Sequence, residues 1–303
     1  MTGRRYLDVD VLASLAGLPL AARRPMRGSV SGRHVSPTRG SSVEFAQYRR
    51  YVPGDDPRRL DWRAVARSDR YYVKEFEADT NLRLCLVVDT SGSMGFGTVN
   101  DGDGGVVDKL SLAKRLAATL AHVAVSQGDA VGLSTLAEGV VEHLPPRRAP
   151  VHLRALDAAL DGLSAGGETR LGDVLHEVAE RVSAGALVVV FSDLFEEPEV
   201  LRGCFEHLRF RKHDLALFHL LDPAEVAFEF DRPTRFVDME GGGSVTAEPE
   251  EITSRYRDAM AGYLGALEDV VAATAADYHR VMLDVTPGAV LANFLTRRLA
   301  GSR

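Results

Sequence analysis

From residue 82 onward the chain alternates short, nearly uninterrupted apolar runs with longer stretches of helical periodicity. The runs cover 82–88, 131–136, 187–191, 215–221 and 280–285, each bounded by turn residues. Runs of this length fit strands buried on both faces. Helical patterns lie among them at 109–127, 152–163, 171–183, 198–211, 253–276 and 287–299. Parallel neighbours need crossover connections, so this alternation predicts an α/β domain around a mostly parallel sheet. Ligands of such sheets bind at the carboxyl ends of the strands.

Two stretches depart from the alternation. Residues 225–250 carry three short strand-like pieces, 228–230, 234–237 and 244–246, around Gly241-Gly242-Gly243. They predict a small β-insertion before the next helix. Residues 97–105, rich in Gly and Asp, read as a mobile loop. Asp101 and Asp103 there do not make a calcium loop, because Gly105 stands where a third carboxylate belongs.

Before residue 82 the pattern is less regular. A short helix is expected at 8–16, then a Gly, Ser, Arg and Pro-rich stretch, a turn at Pro53-Gly54-Asp55-Asp56 and a strand at 70–77. The expected division is an N-terminal segment, 1–80, packed on a domain of residues 81–303. Charge follows this division: the first 80 residues carry a balance of +5 and the rest −12. The arginines of the basic part alternate with acids and form no basic run, so no nucleic-acid contact is expected. Cys85 and Cys204 both sit in apolar stretches and form no disulfide framework. No apolar run reaches the ~18 residues of a membrane span, and residues 1–10 lack the apolar core of a secretory signal. A cytoplasmic protein is expected.

The sharpest local feature is Asp89-Thr90-Ser91-Gly92-Ser93, directly after the first buried run. A turn leaving a strand end puts one carboxylate and two hydroxyls on a common surface. Mg²⁺ takes six oxygens in near-octahedral geometry and keeps some waters, so this turn supplies part of a shell. Two later loops reach the same sheet edge: one carries Thr169 before the helix at 171, and Ser192-Asp193 closes the run 187–191. The set has neither imidazole nor thiolate, which favours Mg²⁺ or Mn²⁺, with Ca²⁺ as a further hard cation, over zinc or copper. Taken singly, Asp89 fits a strand-end turn. Ser91, Ser93, Thr169 and Asp193 each fit a helix cap.

Asp89-x-Ser91-x-Ser93, Thr169 and Asp193 together resemble the metal-ion-dependent adhesion site of von Willebrand A (vWA) domains. The resemblance implies a Rossmann-like three-layer vWA fold. It also implies that Ser91, Ser93 and Thr169 touch the metal, while Asp89 and Asp193 act through water or as hydrogen-bond partners. A wider resemblance lies in Ser42-Val43-Glu44-Phe45, in Tyr48-Arg49-Arg50-Tyr51-Val52-Pro53-Gly54-Asp55-Asp56-Pro57-Arg58 and in Leu60-Asp61-Trp62. Tyr72-Val73-Lys74-Glu75-Phe76-Glu77 and Phe218-His219-Leu220-Leu221-Asp222-Pro223 extend it. These segments are similar to the DUF-58 family of vWA-containing bacterial proteins, commonly found beside MoxR-type AAA+ ATPases. That similarity implies an adaptor for such an ATPase or its client, engaged through an acidic residue at the metal. Arg49, Arg50, Arg58, Arg63 and Arg67 read either as a partner surface or as internal ion pairs, with Trp62 as an anchor.

Competing chemistry finds little footing. No Walker A motif and no Gly-x-Ser-x-Gly elbow is present. A haloacid-type phosphatase needs a second carboxylate at the place of Ser91, and the histidines are scattered. The expectation is a binding module and not an enzyme. A metal-dependent hydrolase or phosphatase is the alternative, and nucleic-acid binding through the basic segment is a remote third.

Overall fold

The computed structural model describes residues 6–21, 30–35, 44–50, 71–77, 79–80, 82–101, 104–137, 140–167, 171–230 and 232–301. The chain divides into two compact units, one of residues 24–82 and one of residues 1–23 with 83–303. This differs from the expected division at 80/81, because the first residues belong with the later unit.

In the smaller unit β1 (Val30–Val35) pairs antiparallel with β4 (Asp79–Thr80). β2 (Glu44–Arg50) pairs antiparallel with β3 (Tyr72–Glu77), with a register shift between Phe45 and Gln47. The expected strand at 70–77 is therefore present as β3. Residues 51–70, with the predicted turn, Trp62, Arg58, Arg63 and Arg67, lie outside the described residues.

The larger unit begins with α1 (Val9–Leu15), capped by Asp8, whose carboxylate accepts from the amides of Asp10 and Val11. Its core strands are β5 (Arg83–Val88), β8 (Ala130–Ala137), β9 (Val140–Arg147), β10 (Leu187–Ser192), β11 (Asp214–Leu221) and β14 (Asp277–Met282). Between β5 and β8 come the short β6 (Val99–Asn100) and β7 (Val106–Val107) and the long α2 (Lys109–Ser126). The remaining helices are α3 (Pro150–Gly162), α4 (Leu171–Arg181), α5 (Pro198–Phe210), α6 (Pro223–Ala227), α7 (Pro249–Thr274) and α8 (Pro287–Gly301). β12 (Thr234–Val237) and β13 (Ser244–Ala247) form an antiparallel hairpin between α6 and α7.

The six-stranded sheet has the order β14-β11-β10-β5-β8-β9. Its neighbours are parallel except β8 and β9. This is the three-layer α/β architecture expected. Every residue of β10 and β11 is buried, which explains why these strands read as unbroken apolar runs. On one face Cys85, Val87, Val188, Val190 and Leu217 pack with Leu175 of α4, Phe205 of α5 and Leu267 of α7. On the other, Phe191, Phe218 and Phe294 of α8 form a chain of ring contacts 5.0 and 5.1 Å apart. Both cysteines are free and buried, and burial pushes each thiol up to about 11.

Four details differ from expectation. β9 is an added edge strand, masked in the sequence by Pro145 and Pro146, which an edge tolerates because one side needs no ladder. β14 starts at Asp277 rather than 280, and 283–285 form a turn. Residues 228–230 are not a strand: Phe228 ends α6 with a positive φ of 47°, and its ring stacks on Tyr256 and Phe236. The 97–105 stretch is framed by β6 and β7, an antiparallel pair matching Val99 with Val107.

The main chain of residues 18–21 is held to the rest of the larger unit by distant side chains. Leu20 N–H donates to Gln127 Oε1, and Gln127 Nε2 donates to Leu18 O. Arg298 Nε of α8 donates to Ala21 O. Leu15 and Leu20 are fully buried.

Candidate metal centre

After β5 the chain builds β8 and β9 on one side, then returns to build β10 and β11 on the other. β5 and β10 are thus the adjacent strands at which the winding reverses, where open α/β sheets hold their ligands. Asp89 leaves the end of β5 and Asp193 the end of β10, and Asp89 N–H still bonds Phe191 O at 3.0 Å. The third loop is clamped onto the first: Gly166 N–H donates to Thr90 O and Gly92 N–H to Gly167 O, both at 3.0 Å. Thr169 itself, with Glu168 and Arg170, lies outside the described residues. Asp89, Ser91, Ser93 and Asp193 are described, on adjoining turns of one sheet edge.

Asp89 is buried and braced. Its Oδ1 accepts from Ser91 N–H at 2.9 Å and its Oδ2 from Ser192 Oγ–H at 2.6 Å. Burial, and then the negative charge of Asp193, push its carboxyl up to about 6 against the pull of these bonds. Ser91 Oγ and Ser93 Oγ share a hydrogen bond of 3.1 Å, in which either hydroxyl can donate. Adjacent ligands of an octahedral ion with bonds of about 2.1 Å are separated by ~3 Å, so the two hydroxyls already have the spacing of one octahedral edge. The oxygen-only donors and the mutual repulsion of two buried carboxylates fit a hard divalent cation. Among the described residues no group of three or more His, Cys, Asp or Glu is placed to hold a metal; a hydroxyl-rich shell would not contain such a group.

Three features of this edge were not among the sequence expectations. Lys109, the first residue of α2 and 1% exposed, donates to Asp193 Oδ2 and to Glu225 Oε1, each at 2.7 Å. Burial works against its charge, but the two carboxylates together hold its pKa above the ordinary value. Glu225 belongs to a capping box at the start of α6, where its Oε2 accepts from Asp222 N–H at 2.8 Å. Asp222 also accepts from Thr98 N–H at 2.7 Å and Thr98 Oγ–H at 2.6 Å, which ties the β6 end to α6. Only this capping box was readable in the chain, as Asp222-Pro223-Ala224-Glu225, and nothing there points to Lys109. Finally, the tip of the β12–β13 hairpin touches the turn after β5: a Cβ on Gly92 would lie 2.1 Å from Met239 O, and one on Gly95 3.3 Å from Met239 Cε.

His219, paired in register with Ser192, is buried beside this edge. Its Nδ1 shares a 2.7 Å hydrogen bond with Tyr278 OH, and burial lowers its pKa to about 4. It stays neutral at physiological pH, which does not add to the positive charge of Lys109.

Residues 47–262 match the model of a family described as "Protein of unknown function DUF58". An uncharacterized protein of Mycobacterium tuberculosis is 27% identical over 223 residues, covering 72% of this chain and 68% of that one. Among solved structures, a conserved hypothetical protein BatB from Bacteroides thetaiotaomicron is 17% identical with a TM-score of 0.46, covering 73% of this chain and 98% of its own. An aerotolerance-related membrane protein from Bacteroides fragilis is 17% identical with a TM-score of 0.47, covering 73% and 99%. No helix among the described residues of the present chain is long and apolar enough to cross a membrane.

Proposed function

We propose that this chain, which belongs to the DUF58 family, is a metal-dependent protein–protein interaction module. The observation that carries the reading is the pair of Ser91 and Ser93 hydroxyls, set 3.1 Å apart at the switch point of the sheet, with Asp89 braced behind them. Ser91, Ser93 and Thr169 would hold a Mg²⁺ or Mn²⁺ ion directly, with Asp89 and Asp193 acting as acceptors around it. An ion held mainly by neutral hydroxyls keeps most of its charge and so supplies a binding point for a carboxylate. The protein's own part is to hold the hydroxyls at fixed spacing and to keep Asp89 oriented through Ser91 N–H and Ser192.

The partner in this reading is a MoxR-type AAA+ ATPase or its client, contacted through an acidic side chain. The chain would act as its adaptor rather than as a catalyst. Two buried free thiols suit a reducing compartment, so we place the protein in the cytoplasm.

Calorimetry with Mn²⁺ tests the site. The wild type should bind, and Ser91→Ala and Ser93→Ala should each weaken binding at least tenfold. Equal affinity in all three would overturn the assignment. A pulldown with and without chelator tests the partner, since capture of the ATPase that ignores chelation would remove the metal from the contact.

A further inference from the structure

At the carboxyl edge of the sheet Asp193 and Glu225 share one ammonium, and Asp89 lies near enough to Asp193 to feel its charge. Asp89 and Asp193 are almost fully buried, and the Glu225 side chain is 22% exposed. Lys109 is the cation placed among them, with its ammonium at 2.7 Å from both Asp193 and Glu225. Its side chain is 1% exposed, so this charge is permanently committed to the site. Charges withdrawn from water must be compensated close by.

The contacts also divide the work of Asp193. Its Oδ2 is taken by Lys109, while its Oδ1 takes a long bond, 3.4 Å, from Phe195 N–H. The ammonium therefore fixes the carboxylate's orientation and leaves Oδ1 as the less engaged oxygen. Glu225, held by its capping box, in turn fixes the ammonium from the other side.

Resting on the metal-site reading above, we infer that Lys109 is the resident cation of the centre: it orients Asp193 and sets the site's affinity for a divalent ion by repelling it. A unit positive charge a few ångströms from a divalent ion weakens binding substantially even at an effective dielectric constant of about 20. The same ammonium keeps the metal-free protein folded, because without it Asp193 and Glu225 repel each other in a desolvated position. Lys109 is in this sense a positioning residue and touches no partner.

The experiment uses Mn²⁺ as the probe, with binding followed by electron paramagnetic resonance and by the rise in Tm on adding the ion. Lys109→Met should bind Mn²⁺ at least tenfold more tightly than wild type. It should also melt lower without metal and gain more in Tm when metal is added. Lys109→Arg keeps the charge and should stay within about threefold of wild type. Glu225→Gln removes a negative charge and should bind at least threefold more weakly, which keeps the test open if Lys109→Met does not fold. Binding by a wild type too weak to detect, with clear binding by Lys109→Met, supports the inference. Equal or weaker binding by Lys109→Met, with Ser91→Ala still abolishing wild-type binding, overturns it and leaves the metal site standing. Equal or tighter binding by Glu225→Gln also overturns it. No Mn²⁺ binding by any variant overturns the metal site and this inference together.

Discussion

The main-chain oxygen of Met239 lies 2.1 Å from where a Cβ on Gly92 would stand. The hairpin tip and the turn after β5 are thus in backbone contact, with the side chain of Glu240 also only 3.3 Å from that point. The hairpin can reach so close because Gly241 and Gly243 take positive φ values of 105°, which let the chain turn back tightly. Gly92→Ala must push either the tip or the turn aside. The expected outcome is faster amide exchange over residues 234–247 and weaker Mn²⁺ binding. Gly262→Ala is the control: it lies on an exposed face of α7 with nothing within 4 Å of the new Cβ. That change should stabilise by about 0.5–1 kcal/mol. Unchanged exchange at the hairpin in Gly92→Ala would show that the contact does not matter.

The parts of this arrangement that the sequence disclosed are those with local patterns. β10 and β11 are buried along their whole length, so their apolar runs were visible, and Asp89 and Asp193 were visible as the polar residues that end such runs. β9 was not, because an edge strand carrying Pro145 and Pro146 has neither the apolar run nor the expected composition. Lys109 was invisible for a different reason. It meets Asp193 across 84 residues of chain and Glu225 across 116, and a lysine at the start of a helix looks locally like any solvated side chain. The Gly92–Met239 contact was hidden in the same way, since the glycine explains itself as part of a turn until its neighbour is known. The place of residues 6–21 with the larger unit was not legible, because the bonds from Gln127 and Arg298 that hold them come from distant parts of the chain.

His219 provides a pH prediction. Its pKa falls from the ordinary 6.5 to about 4 in the folded protein, chiefly through burial. Between those values the unfolded chain holds the proton more tightly than the folded one, so stability declines as pH falls from 6.5 towards 4. The contribution at the acid end is about 3 kcal/mol, and above 6.5 there is none, because both states are neutral. His219→Gln keeps a hydrogen-bonding group for Tyr278 but does not titrate. Its Tm relative to that of the wild type should therefore rise as pH falls from 6.5 to 4. A residual slope is expected from His213, which burial also lowers. Parallel Tm–pH curves for the two proteins would assign the acid sensitivity elsewhere.

Arg298 stands at the opposite edge of the sheet from the candidate site and has the opposite kind of role. It is fully buried and binds Asp214 and Asp277, the first residues of β11 and β14. The same guanidinium bonds Ala21 O and lies over the Phe294 ring, 5.4 Å from its centroid. The planar fork serves three acceptors at once in a fixed geometry, which the rotatable ammonium of a lysine does not impose. Arg298→Met removes the guanidinium that two buried aspartates share, a loss of about 3–5 kcal/mol, or on the order of 10 °C in Tm for a domain of this size. It also removes a tether of residues 6–21, so limited proteolysis should cut within them sooner than in wild type. The Asp89–Ser93 turn stands at the carboxyl end of β5, whereas this cluster stands at the amino ends of β11 and β14. Mn²⁺ affinity per folded molecule should therefore stay within twofold of wild type. A large change in affinity would show that the two edges are coupled through the sheet, while an unchanged Tm would mean that water replaces the guanidinium.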